Sequence, residues 1–200
     1  MIVRNGIKMF LSKSEKETVN DLYNEMIEFE WDRKYFDTRR KKVLNKHARA
    51  NVCFGKTKMK PDYENKKGTI IAYKDVPLLN KIHTQLPKLF GIKADNMICE
   101  GNRYFDLKKC GIGWHGDAER RKVIAFRLGA TMNLQYNWFY KSKSIGKTCV
   151  LTLKHGDMYI MSEKAVGTDW RSSSKYTLRH SAGVKGSKYL ELPNKLVKKK

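Results

Sequence analysis

The chain has 200 residues and a formal net charge of +22, since 42 lysines and arginines face 20 aspartates and glutamates. The sequence contains no run of about eighteen apolar residues that could span a membrane, and its N-terminus lacks the apolar stretch of a signal peptide. It also contains no Cys-x-x-Cys pair of the kind found in zinc knuckles. We therefore expect a monomeric intracellular protein of a cell or a virus, cytoplasmic or nuclear, with reduced cysteines and with nucleic acid, DNA or RNA, as its favoured partner.

The N-terminal part, residues 1–97, is predicted to be helical and basic. Apolar residues recur at helical spacing over 12–31, with Ser12 or Ser14 as N-cap and Glu15 and Glu17 in the first turn. Residues 51–67 contain turn-forming residues and are predicted to be irregular. A strand over 69–73 and a second amphipathic helix over 76–90, starting near Pro77, complete this part.

A dense group of positive charges follows the first predicted helix and includes Arg39, Arg40, Lys41 and Lys42. Two interpretations stay open for it, a solvated face or a surface that contacts phosphates. Tyr63 is a candidate stacking partner for an unpaired base, because such bases bind to aromatic side chains.

The second part, residues 98–192, is predicted to consist of short strands separated by glycine turns, with a basic tail at 193–200. The predicted strands cover 98–105, 122–128, 131–139, 148–153, 157–161, 176–182 and 188–192. Helices followed by many short strands are typical of an α+β chain whose second half is a barrel-like double sheet. We expect residues 1–200 to form a single domain.

A His-x-Asp pair, His115 and Asp117, lies between a glycine-flanked turn and an apolar strand pattern. With one more histidine it would give the 2-His-1-carboxylate set that holds non-haem Fe(II) by one face. His180 lies in a strand-like run with polar alternation, whereas His155 precedes a predicted turn, so His180 is the favoured third ligand. The competing interpretation is that His115 and Asp117 are surface turn residues.

Asn102 and Tyr104 lie two positions apart on the predicted strand 98–105. Alternate residues of a strand point to the same face, so both side chains are predicted to enter one cavity. Glu119, two residues after Asp117, has two interpretations, a substrate contact or an ion pair with a neighbouring cation.

With these residues in view, the chain resembles the AlkB-like branch of the Fe(II)- and 2-oxoglutarate-dependent dioxygenases over roughly residues 98–190. The resemblance implies a double-stranded β-helix, or jelly-roll, core with N-terminal supporting helices and a lid. It implies that His115, Asp117 and His180 bind Fe(II), that Asn102 and Tyr104 contact 2-oxoglutarate, and that Glu119 lies beside the target base. The implied activity is the O2-dependent oxidative demethylation of alkylated bases, as in DNA or RNA repair.

The chain departs from that family at its C-terminal end, where the Arg-x-Asn-x-x-x-x-Arg motif is absent after His180. A buried carboxylate still needs a cation, and prolyl hydroxylases of the same superfamily have a lysine at a comparable point. We therefore expect Lys188, on the predicted strand 188–192, to pair with 2-oxoglutarate, with Lys185 second and Arg127 third. Two alternatives stay open: a prolyl- or lysyl-type protein hydroxylase, and a basic nucleic-acid-binding protein without catalysis.

Overall fold

The computed structural model describes residues 1–14 and 16–193 and divides the chain into two compact units. The helix-bearing unit is Ile7–Asp106, and the β unit combines Met1–Gly6 with the chain from Leu107 onward. Glu15, predicted in the first turn of a helix, lies outside the described residues, and so does the predicted basic tail after residue 193.

The described elements comprise twelve strands, three α-helices and four short 3-10 helices. The strands are β1 (Ile2–Val3), β2 (Lys34–Asp37), β3 (Lys42–Asn45), β4 (Ala50–Gly55), β5 (Ile70–Ala72), β6 (Cys99–Arg103), β7 (Ile112–His115), β8 (Val123–Phe126), β9 (Met132–Tyr140), β10 (Lys143–Leu153), β11 (Met158–Met161) and β12 (Thr177–Gly183). The α-helices are α1 (Val19–Ile27), α2 (Pro77–Phe90) and α3 (Glu163–Val166), and the 3-10 helices are Gly6–Met9, Tyr73–Asp75, Ile92–Ala94 and Lys188–Leu190.

Helix α1 is shorter than predicted, and neither Ser12 nor Ser14 is its N-cap. Thr18 caps it instead: the Asp21 N–H donates to the Thr18 hydroxyl at 3.2 Å, and the Thr18 N–H donates to the Asp21 carboxylate at 2.7 Å. This reciprocal capping box satisfies two N–H groups that have no partner within the helix. The spacing of apolar residues predicted a helix over 12–31. The capping hydrogen bonds of Thr18 instead fix its first residue at Val19.

Helix α2 begins at Pro77, close to the predicted start, because proline fits the first helical position. No side chain of its own first residues caps it. The Glu25 carboxylate, from α1, accepts from the N–H groups of Leu78 at 2.8 Å and Leu79 at 2.9 Å. Burial raises the pKa of Glu25 above its usual value. Glu25 therefore joins the two helices of this unit at one polar contact.

The three-stranded sheet of the helix-bearing unit, in the order β5-β4-β6, has β4 at its centre. The prediction of an irregular segment over 51–67 is wrong for β4, whose residues Ala50, Val52 and Phe54 alternate into the core. Buried Asp32 anchors the following segment by accepting from the Thr69 N–H at 2.7 Å and from the Tyr63 hydroxyl at 2.9 Å. Strand β2 pairs with β3 to form a separate hairpin.

The β unit contains two antiparallel sheets, one in the order β1-β11-β8 and the other in the order β10-β9-β12-β7. The described chain is therefore α+β with mostly antiparallel sheets, as predicted. The predicted strand 188–192 is wrong: Lys188–Leu190 form a 3-10 helix, because the Ser187 hydroxyl accepts from the Tyr189 N–H at 3.3 Å. No helix among residues 1–14 and 16–193 is long and apolar enough to cross a membrane.

The first six residues are an edge of the β unit, held by strand pairing and by buried Asp157. The Met1 ammonium donates to the Ile160 carbonyl at 2.9 Å, and Ile2 pairs with Tyr159. Asp157, only 2% exposed, forms an ion pair with Arg4 and accepts from the backbone N–H of Asn5 at 3.1 Å. Burial alone would raise the pKa of Asp157, but these hydrogen bonds and the Arg4 guanidinium outweigh it and lower the pKa.

Replacing Asp157 with asparagine should lower the free energy of unfolding by about 2–3 kcal/mol, since a buried acceptor of charge-assisted hydrogen bonds becomes partly a donor. Urea denaturation at pH 7 measures this change. Glu163→Gln, on the exposed first turn of α3, is the matched control in the same unit and should change stability by less than about 0.5 kcal/mol. Equal stability of the two variants would contradict the anchoring role of Asp157.

Candidate metal centre

Two adjacent strands bring the predicted ligands together in the β unit. His115 ends β7 and His180 lies directly opposite it on β12, with ring centroids 4.3 Å apart. Asp117 follows β7, and its carboxylate oxygens lie 3.6 Å from His115 Nε2 and 4.0 Å from His180 Nε2. One ligand atom from each of the three residues lies within 4.8 Å of the others. This spacing is suitable for one metal ion held between them.

A hydrogen bond orients one imidazole, and burial keeps the other neutral. His115 Nδ1 lies 2.7 Å from the Gly113 carbonyl oxygen, which can only accept, so Nδ1 carries a proton and Nε2 is the ring nitrogen left for a metal ion. Burial and the neighbouring His115 lower the pKa of His180 to about 3. His180 is therefore neutral at physiological pH, and its lone pair is available to a cation.

Asp117 is held in place by a close approach of two glycines. Its backbone N–H donates to the Val166 carbonyl at 3.0 Å, just where α3 ends at Gly167 with a left-handed φ of +78°. A Cβ on Gly116 would lie 2.2 Å from the Gly167 carbonyl oxygen. Only glycine at position 116 therefore allows this backbone packing, which fixes the carboxylate beside the histidines.

The turn after Asp117 brings Arg120 to the edge of the site. Its guanidinium Nη1 lies 3.7 Å from Asp117 Oδ2, and its Nε lies 3.9 Å from Glu119 Oε1. Glu119 is 73% exposed, so the ion-pair interpretation describes its contact in this structure, and its substrate role stays a prediction. The sequence offered Arg120, Arg121 and Lys122 as possible partners of Glu119, and the structure places Arg120 there. The contact of Arg120 with Asp117 was not predicted.

The three candidate cations for 2-oxoglutarate all belong to the β unit but differ in setting. Lys185 and Lys188 are exposed, and the Lys188 ammonium lies 5.5 Å from the centre of the Tyr189 ring. The 3-10 helix of Lys188 packs its Tyr189 ring onto Gly111, near the start of β7. Arg127 donates from Nε and Nη2 to the Ala130 carbonyl at 2.9 and 2.6 Å, across the turn between β8 and β9. Lys188 was chosen because it was expected on a strand, and that expectation is wrong, since it lies in a 3-10 helix. Its pairing with 2-oxoglutarate stays a prediction.

The remaining predicted site residues lie in the helix-bearing unit. Asn102, on β6, accepts from Arg49 Nε at 2.6 Å, and Tyr104 follows that strand. Tyr63 donates its hydroxyl to Asp32, and burial raises the pKa of Tyr63 to about 12. That contact gives Tyr63 a structural role. The basic side chains at the β2–β3 turn are exposed: Arg39, Arg40, Lys41 and Lys42.

Two further residues clarify the choice of ligands. His155 accepts from the Gly129 N–H at 2.9 Å through Nδ1, in the turn between strands, and it is not part of the three-residue cluster. Tyr136, on β9 opposite His180, has its ring centre 5.9 Å from the His180 ring. Burial raises the pKa of Tyr136, so it is a neutral phenol beside the metal ligands. Sequence reasoning missed Tyr136, because its position depends on strand register.

Comparison with known proteins finds a relative that aligns with most of this chain. No family model matches the chain. The chain is 42% identical over 183 residues to uncharacterized protein R156 of Acanthamoeba polyphaga mimivirus. The aligned residues make up 92% of this chain and 68% of the viral protein. The resemblance to AlkB-like dioxygenases stays a prediction. The chain belongs to the same family as this mimivirus protein.

Proposed function

We propose that the protein is an Fe(II)- and 2-oxoglutarate-dependent dioxygenase that oxidises alkylated or methylated bases in nucleic acid. The observation that carries this proposal is the convergence of the His115–Asp117 pair with His180, which is distant in sequence but lies on the neighbouring strand. Two imidazoles and one carboxylate without thiolates match non-haem Fe(II) and leave coordination positions for a co-substrate and O2.

The architecture of the β unit supports the same proposal. Its three- and four-stranded antiparallel sheets are compatible with a jelly roll, which is built from two such sheets. Both histidines lie on neighbouring strands of the four-stranded sheet, where strand pairing fixes their separation. A site on strands is positioned more accurately than a site on loops alone.

The residues of the site suit the roles that this chemistry requires. Fe(II) with bound 2-oxoglutarate and O2 supplies the oxidation of a C–H bond, and a hydroxylated N-methyl group leaves the base as formaldehyde. His115 is oriented by the Gly113 carbonyl, and His180 is kept neutral by burial. The Asp117 carboxylate would balance part of the charge of a bound metal ion. Lys188, Lys185 and Arg127 remain the candidate partners for the distal carboxylate of 2-oxoglutarate.

Nucleic acid is the favoured substrate because of charge. A net charge of +22 on 200 residues attracts a polyanion at long range, and exposed cations such as Arg39 and Arg40 offer contacts to phosphates. The alternative function, a protein hydroxylase of the same superfamily, does not require a strongly positive surface.

The proposal is tested with protein loaded anaerobically with Fe(II) and 2-oxoglutarate and then exposed to O2. The substrates are single-stranded DNA and RNA oligonucleotides that carry 1-methyladenine, 3-methylcytosine or 5-methylcytosine. Nucleoside mass spectrometry should show loss of an N-methyl mark or a hydroxylated base, with succinate formed in step, and His115→Ala should form neither. Succinate without any change in the bases would refute the nucleic-acid substrate and favour a protein hydroxylase. No succinate from iron-loaded protein would refute the oxygenase.

A further inference from the structure

The face of the four-stranded sheet that carries His180 continues along β9 and β12 into a group of aromatic rings. His180 lies opposite Tyr136, and Leu178 lies opposite Trp138. Alternate residues of a strand share a face, so Tyr176 and Tyr140 continue the same two rows. Their rings are stacked, with centroids 4.7 Å apart and planes at 23°. We call Trp138, Tyr140 and Tyr176 the aromatic shelf.

The shelf is exposed to a degree that packing of the fold does not explain. Trp138 is 42% exposed and Tyr176 is 59% exposed, while Leu134, on the same face of β9 at its other end, is buried. A large exposed apolar surface next to a functional site indicates a binding surface. Flat aromatic rings are the side chains on which unpaired bases stack, at about 1–3 kcal/mol per base.

Cations surround the shelf. The ammonium of Lys164 lies 5.5 Å from the centre of the Trp138 ring, and that of Lys141 lies 5.6 Å from the centre of the Tyr140 ring. Further exposed cations on the adjoining segments are Lys143, Arg171 and Lys175. Asp169 is already paired with Lys164 at 2.9 Å. Aromatic planes within a positive field complement a chain that carries both planar bases and negative phosphates.

The register also gives the distance from the shelf to the metal ligands. Along β12, a strand rises about 3.3 Å per residue, so the Trp138 row lies about 7 Å and Tyr176 about 13 Å from His180. At these distances from His180, the shelf could contact the bases next to one that is held at the metal centre. Bases in a duplex already stack on each other, so only a single strand, or a locally opened one, can offer its base faces to the shelf.

We propose that the aromatic shelf binds single-stranded nucleic acid by base stacking and leads the strand to the His115–Asp117–His180 site. The second half of this statement rests on the proposed function. Binding to the shelf does not depend on it, because no metal ligand belongs to the shelf.

The test uses metal-free protein in EDTA and fluorescein-labelled, unmodified 12-nucleotide DNA and RNA, with fluorescence anisotropy at fixed salt. The double variant Trp138→Ala/Tyr176→Ala should bind single strands about 10- to 100-fold more weakly, given the stacking energy of each base. Trp138→Phe, which keeps a ring, should retain most of the affinity. Tyr35→Ala is the matched control, since Tyr35 is 40% exposed but lies in the helix-bearing unit, and it should bind like the wild type.

The proposal is overturned if the double variant binds single strands with wild-type affinity, or if a duplex of the same sequence binds wild-type protein as tightly as the single strand. It is also overturned if polyglutamate competes as well as single-stranded DNA, because the surface would then respond to charge alone. Thermal melts of each variant confirm that the fold is intact. Shelf-dependent binding without succinate formation would refute only the oxygenase. Base oxidation that is unaffected in the double variant would refute the role of the shelf in leading the strand to the metal site.

Discussion

Replacing Asp117 with alanine is expected to weaken the binding of Fe(II), or of Co(II) as its spectroscopic substitute, by more than about 100-fold. Loss of a residue that merely supports a ligand typically costs 10- to 100-fold in metal affinity, and Asp117 is a ligand itself. The change removes the single carboxylate of the ligand cluster and leaves two imidazoles with centroids 4.3 Å apart. It also leaves the Arg120 guanidinium, 3.7 Å from the lost oxygen, to repel a cation.

Anaerobic titration with Co(II), followed by its visible absorption and by calorimetry, measures this loss. Glu119→Gln is the matched control, because it removes an acidic group two residues away that is not in the ligand cluster. The control should bind metal within about 2-fold of the wild type, as expected for a mostly exposed charge under screening. Wild-type affinity in Asp117→Ala would show that the metal is bound elsewhere, and no binding to the wild type would refute the metal centre.

Replacing Gly116 with alanine is expected to have the second large effect, a loss of about 3 kcal/mol in the free energy of unfolding together with loss of metal binding. The new Cβ would meet the Gly167 carbonyl oxygen at 2.2 Å and the Trp170 Cβ at 2.7 Å. Neither contact involves the flexible end of a side chain, so the backbone must move, at a cost at or beyond the usual range for overpacking. The movement carries Asp117 away from the histidines.

Gly113→Ala gives a close comparison for this variant. Gly113 lies on β7, three residues before Gly116, but a Cβ there would meet no heavy atom within 4 Å. Its carbonyl, which orients His115, is kept in the variant. Its stability should therefore change by less than about 1 kcal/mol, and its metal affinity should be retained. Urea denaturation and Co(II) titration of both variants would contradict the packing argument if they gave equal values.

The sequence predicted those features that depend on local periodicity. Helix α2, most strands of the β unit and the α+β class were confirmed, because apolar spacing and turn residues are local signals. The three metal-ligand candidates were also chosen from residue type and spacing, and the structure places them together.

Features that depend on distant partners were not predicted. Strand β4 is central only because β5 and β6 pair with it. Likewise, the contact of Gly116 with Gly167 and the register that aligns Tyr136 with His180 join segments far apart in the chain, so no local pattern reveals them.

Two local features were also missed, although their signals lie in the sequence. Helix α1 starts at Val19 because Thr18 and Asp21, three residues apart, cap each other. The predicted strand at 188–192 is a 3-10 helix that the Ser187 hydroxyl initiates.

The edge strand β1 has a consequence for synthesis on the ribosome. Its hydrogen bond from Met1 to Ile160 joins residues 159 positions apart, and the whole helix-bearing unit is translated between them. At roughly 5–20 residues per second, the first strand would wait about 8–30 seconds before its partner β11 leaves the ribosome. During that time the apolar residues Ile2 and Val3 have no strand partner, so this segment requires protection in the nascent chain.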